Sequence, residues 1–167
     1  MSWTSCLYRR SEITNRYNEL EILLEEVHEP YRRLGYVFRV YDEGAAFRYV
    51  IPQQDGVPGF ELLREESQWC FPGKCSGWFT SYKSDFNSNE NQFLRRDVNS
   101  IVSDDFIGLP GTVEVGGSYI AFCEAALVNW AGFYLKTPKG ESSADASVFE
   151  THLTPLPPSE ASTRGWR

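Results

Sequence analysis

The chain is poor in the residues from which most catalytic and cofactor sites are built. Its 167 residues hold two histidines, His28 and His152, and four cysteines, Cys6, Cys70, Cys75 and Cys123. Cys–His nucleophilic catalysis needs a thiol, a base and an orienting group in contact, and no local signature joins them. Four cysteines are too few for a disulfide scaffold. The C-x4-C pair Cys70–Cys75, around Pro72-Gly73, lacks the second ligand pair that a zinc knuckle requires. No G-x-G-x-x-G and no P-loop lysine motif is present, which removes nucleotide binding through a known loop. The most apolar stretch, Tyr119 to Leu135, is broken by Glu124 and Asn129 and is too short for a membrane span. Near the start, Arg9-Arg10 follows the apolar residues, the reverse of a signal peptide. The chain reads as a cytoplasmic protein with reduced thiols, no metal, no cofactor and no membrane partner.

Positive charge is also scarce. Sixteen basic residues face 23 acidic ones, a formal charge of −7. Nucleic-acid binding needs clustered Lys and Arg for phosphate contacts, so it is set aside. What the chain does have is 41% apolar and 15% aromatic residues, enough for a packed core. At this length roughly 70% of the unfolded surface can be buried in one domain. Residues 1–153 are expected to form that domain, and the Pro/Ser-rich residues 154–167 a tail.

Periodicity points to an α+β fold, an antiparallel sheet of hairpins with a long N-terminal helix and a second helix packed on it. Ile13, Tyr17, Leu20, Leu24, Val27, Tyr31 and Leu34 recur at steps of 4 and 3, one stripe of a helix. Gly35 would end that helix and Pro30 would kink it. The stripe would lie on a sheet, or alternatively form a homodimer seam. A hairpin follows, with residues 36–41 and 46–51 around Asp42-Glu43-Gly44-Ala45. Pairing Val40 with Phe47 and Phe38 with Tyr49 gives an apolar face and sets Arg39 across from Arg48. A strand is expected at residues 77–83. Asn87 with Glu90 resembles a capping box opening the second helix, through Leu94, Val98, Ile101 and Val102. Residues 112–115 and 118–122 flank Gly116-Gly117 as a two-residue hairpin, and a last short strand is placed at 148–153.

Three groups of side chains are candidates for function. The first helix would carry Glu19, Glu21, Glu25, Glu26 and Glu29 with no positive residue from Tyr17 to Glu29, an acidic strip suited to a basic partner. Trp69 and Trp78 lead a dense aromatic cluster that either packs a core or anchors a partner. Arg39 and Arg48 could hold a carboxylate or phosphate. Adjacent carboxylates, Glu65-Glu66 and Asp104-Asp105, seldom face one site, so a glycosidase-like pair is not assigned.

In size, acidity and aromatic content the chain looks like bacterial immunity proteins, which block a cognate toxin in the cytosol. The likeness is one of composition and not of motif. The function it implies is a small acidic inhibitor that binds and neutralises a protein partner with a basic surface. The second reading is a small-molecule binder or enzyme whose anionic ligand is held by Arg39 and Arg48. No catalytic residue is assigned.

Overall fold

The computed structural model describes residues 2–4, 12–57, 59–128, 130–139 and 146–155. Cys6 and the tail from residue 156 lie outside the described residues. The contacts divide the chain into two compact units, Met1–Gly59 and Phe60–Arg167.

Unit 1 is built from strands. β1 (Ser2–Thr4) pairs antiparallel with β2 (Glu12–Thr14). β3 (Asn18–Glu25), β4 (Arg33–Tyr41) and β5 (Gly44–Val50) form an antiparallel sheet in that order. The long N-terminal helix expected over residues 13–34 is therefore corrected. Leu20, Ile22 and Leu24 alternate with Glu19, Glu21 and Leu23, a period of two that specifies a strand. The four-residue step between Leu20 and Leu24 satisfies both periods, so the helical stripe was partly the strand seen at coarser spacing. Its remaining members fall elsewhere: Ile13 in β2, Tyr17 just before β3, Val27 and Tyr31 in the β3–β4 loop, and Leu34 in β4. Pro30 lies in that loop and kinks no helix. Around it, the Glu26 N–H donates to the Arg32 carbonyl (3.0 Å), and Tyr31 takes a left-handed φ of 56°.

The β4–β5 hairpin forms two residues off the expected register, with Tyr41 opposite Gly44, Phe38 opposite Phe47 and Tyr36 opposite Tyr49. A two-residue Asp42-Glu43 turn replaces the four-residue loop, the length that best matches strand twist. An even slip leaves every side chain on its own face. The apolar face therefore survives, but Arg39 now faces Ala46 and Arg48 faces Val37.

Unit 2 contains β6 (Gln68–Pro72), β7 (Ser76–Tyr82), β8 (Leu94–Asp97), β9 (Phe106–Val115), β10 (Ser118–Phe122), β11 (Phe133–Lys136) and β12 (Ala146–Leu153). They make one antiparallel seven-stranded sheet in the order β6-β12-β11-β9-β7-β8, with β10 also on β9. β9 is long enough to serve three partners: β7 along one side, Leu135 of β11 opposite Ile107, and β10 opposite residues 111–115 across Gly116-Gly117. The core consists of Phe71, Cys75, Phe79, Val98, Ile101, Ile107, Val113, Phe122, Leu135 and Phe149. Phe79 and Phe149 meet edge to face at 5.5 Å. The second expected helix is corrected as well. Its residues form β8 and a 3-10 turn, Val98–Ser100. Asn87 caps no helix: its amide donates to the Ser84 carbonyl (2.8 Å) and accepts from the Asn89 N–H (2.7 Å). Such local bonding competes with helix formation. Among the described residues no α-helix occurs, and the fold class is all-β, a β-sandwich, in place of α+β.

Candidate docking face and its surroundings

The three strands of unit 1 sort their side chains cleanly. On one face, Leu20 lies beside Phe38 and Phe47, Ile22 beside Tyr36 and Tyr49, and Leu24 beside Leu34. Four rings form a continuous cluster, with Tyr36–Tyr49 at 5.0 Å, Phe47–Tyr49 at 5.8 Å, Phe38–Phe47 at 6.2 Å and Tyr36–Phe38 at 6.4 Å. This face is open: Leu20 is 58% exposed, Val40 54%, Leu24 50% and Phe38 38%. Isolated exposed apolar residues are ordinary, but a contiguous apolar patch marks an interaction surface.

The opposite face carries the charges. Glu19 lies across from Arg39 and Glu25 across from Arg33. The Arg39 Nε donates to Glu19 at 2.5 Å, and its guanidinium lies 4.3 Å above the Tyr17 ring. Glu25 and Arg33 approach to 4.0 Å. Glu26 sits in the loop, where the Arg32 side chain and backbone N–H both donate to it and hold its carboxyl below the usual glutamate range. Three of the five acids in the expected strip are thus matched by arginines of the same unit, two across β3 and β4 and one within their connecting loop. Glu21 and Glu29 are exposed. The anion site expected at Arg39 and Arg48 is not assembled: Arg39 is committed to Glu19, and Arg48 is exposed one step away along the strands.

The two tryptophans of the aromatic cluster lie in unit 2 and take different roles. Trp69 packs edge to face on Phe122 at 5.1 Å, against the core. Trp78 points outward, with Tyr119 at 6.0 Å and the Arg95 guanidinium at 5.5 Å. Cys70 and Cys75 are free thiols, the first exposed and the second buried. The paired carboxylates diverge. Asp104 reaches Lys139 at 3.4 Å, and buried Asp105 takes Arg96 at 3.5 Å and a close contact from Lys83.

One titratable group had no signal in the sequence. Glu124 is half-buried, and its Oε1 has no hydrogen-bond partner among the described residues. Burial pushes its carboxyl above the ordinary value; the Phe133 N–H opposes this and nearby Glu65 adds to it. Glu65 is held by Ser67 Oγ (2.7 Å) and Trp130 Nε1 (3.2 Å). Only tertiary packing brings these residues together. The apolar face, by contrast, was readable from the alternation at residues 18–25. Among the described residues no group of three His, Cys, Asp or Glu side chains is placed to hold a metal ion. Nor is any helix there long and apolar enough to cross a membrane.

Three comparisons with known proteins bear on this arrangement. Residues 1–167 match the family described as Glycosyl-hydrolase 97 N-terminal. A probable retaining alpha-galactosidase of Streptomyces bingchenggensis (strain BCW-1) is 30% identical over 95 residues, which cover 57% of this chain and 14% of that protein. A glycoside hydrolase family 97 enzyme from Pseudoalteromonas sp. strain K8, solved in complex with acarbose, superposes with a TM-score of 0.77 at 22% identity. That superposition covers 93% of this chain and 22% of the enzyme. The chain thus spans a minor part of both relatives. These matches overturn the expectation of an immunity-protein-like toxin inhibitor: size, acidity and aromatic content are shared by many small domains and cannot separate the two. The chain belongs to the glycosyl-hydrolase 97 N-terminal family.

Proposed function

We propose that the chain is a non-catalytic module of a glycosidase, and that the apolar face of β3–β5 seats on another part of the same enzyme. The observation that carries this reading is the face itself: an aliphatic and aromatic surface left open on a three-stranded sheet. A sheet needs its apolar face covered by a further layer. The relatives support an enzyme as the source of that layer. One is named a probable retaining alpha-galactosidase, the other is a glycoside hydrolase, and each is several times the length of this chain. In this reading the chemistry belongs to the remaining length, and the module holds its shape.

The test is a glycosidase carrying this chain, with Phe38→Lys combined with Val40→Lys. Both side chains are exposed, so the strands should form and the far-UV circular dichroism should be retained. Lysines forced into a dry contact lose hydration without a partner. The expected result is a thermal midpoint lower by about 5 °C or more. Activity on an α-galactoside should fall at least tenfold after brief heating, with residues 18–50 newly open to protease. An unchanged midpoint and unchanged protection of those residues would overturn the reading.

A further inference from the structure

The outer face of the unit 2 sheet carries a second, chemically different surface. Trp78 on β7 lies between Arg95 on β8 and Thr112 on β9. One step along, Ser76 lies between Asp97 and Glu114, and Tyr119 on β10 lies beside Glu114. The core side of these strands belongs to Gly77, Phe79, Val113 and Phe122. The Trp78 and Tyr119 rings therefore approach across the outer side of β9, 6.0 Å apart and tilted by 50°. Arg95 completes the frame. It reaches over Trp78, donates to Ser76 Oγ at 2.7 Å, and donates to Glu114 Oε2 at 3.1 Å.

We propose that this surface is a carbohydrate-binding platform for a neutral saccharide. A pyranose has a face of C–H groups, slightly positive, and a rim of hydroxyls that both donate and accept. An aromatic face is slightly negative and takes the C–H side. Arg95 donates to hydroxyls, Glu114 accepts from them, and Thr112 and Ser76 do both. The Arg95–Glu114 pair cancels its own charge, which fits an uncharged ligand rather than a phosphate chain. The platform is also preformed. A Cβ at Gly77 would lie 2.1 Å from the Thr112 carbonyl oxygen, so β7 is pressed against β9 directly beneath Trp78. Tyr119 is 64% exposed, whereas the paired arginine holds Trp78 in place. A protein-docking patch would instead be an apolar centre with a polar rim; here polar groups interleave with the rings.

The platform is independent of the β3–β5 face, and its test uses different residues and a different readout. The whole chain is run in native gels containing soluble starch, galactomannan or hydroxyethyl cellulose, beside Trp78→Ala, Tyr119→Ala and the double variant. Circular dichroism establishes that each variant is folded. At least one polysaccharide should retard the wild type. The retardation constant should weaken about tenfold in each single variant and vanish in the double one, while Tyr119→Phe keeps most of it. A wild type that migrates freely in all three gels overturns the proposal. So does a folded double variant that is retarded as strongly as the wild type. Failure here leaves the docking reading untouched, because Phe38 and Val40 are not altered.

Discussion

At the residue scale, Glu124 and Asp105 show how burial separates two carboxylates. Asp105 is buried and matched by Arg96 and Lys83. Asp105→Ala removes hydrogen bonds to charged donors and should cost about 1–3 kcal/mol, read as a lower denaturant midpoint. Glu124 is the reverse case, because burial raises its carboxyl above the ordinary 4.5. A folded value above the unfolded one favours the protonated form. The associated stability is full below 4.5 and is lost as pH rises through the folded value. Glu124→Gln copies the protonated shape without the charge. It should raise the thermal midpoint at pH 7 by about 2 °C, with the gap to wild type closing towards pH 4. A gap that persists unchanged at pH 4 would mean that ionisation is not the cause.

At the scale of elements, close approach of strands decides what is tolerated. Gly77 faces the Thr112 carbonyl and the Phe79 ring at distances no Cβ can occupy. Gly77→Ala must push β7 from β9 and should destabilise by about 2–3 kcal/mol, measured by urea unfolding. The exposed Gly44, with open space around its Cβ position, is the control and should tolerate alanine within about 0.5 kcal/mol. The same scale shows what could be read from sequence. The hairpin at Gly116-Gly117 was legible to the residue, because a two-residue turn fixes its own register. The strand at 77–83 was legible to within one residue, and the final strand extends two residues further back. The two helices were misread because Leu20, Leu24, Leu94 and Val98 each fit a helical step. What distinguishes their strands is the two-residue alternation within β3 and the pairing of β3 with β4 and of β8 with β7. The acidic residues were found, but not their arginine partners across β4, since a helix would have placed those partners elsewhere.

At the scale of the molecule, the two units are unequal. Every residue of the buried apolar core lies in Phe60–Arg167, while Val37 is the buried apolar side chain of unit 1 among the described residues. A fragment of residues 60–155 should therefore unfold cooperatively by itself, and residues 1–59 alone should show no cooperative thermal transition. A sharp transition in the smaller fragment would contradict this assignment of the core. The sheet of unit 1 ends in β3, which pairs only with β4 among the described strands. Its other edge, unpaired among the described residues, presents backbone N–H and C=O groups beside alternating Leu20, Ile22 and Leu24, a sequence that could template fibrils. Glu19, Glu21 and Glu25 stand on that strand as like charges, and stacked copies of β3 would bring each against its own image. Replacing all three by glutamine should make the chain bind thioflavin T within hours at neutral pH, where the unaltered chain does not. That outcome would make the acids that first suggested a lure for a partner a guard against the chain's own copies.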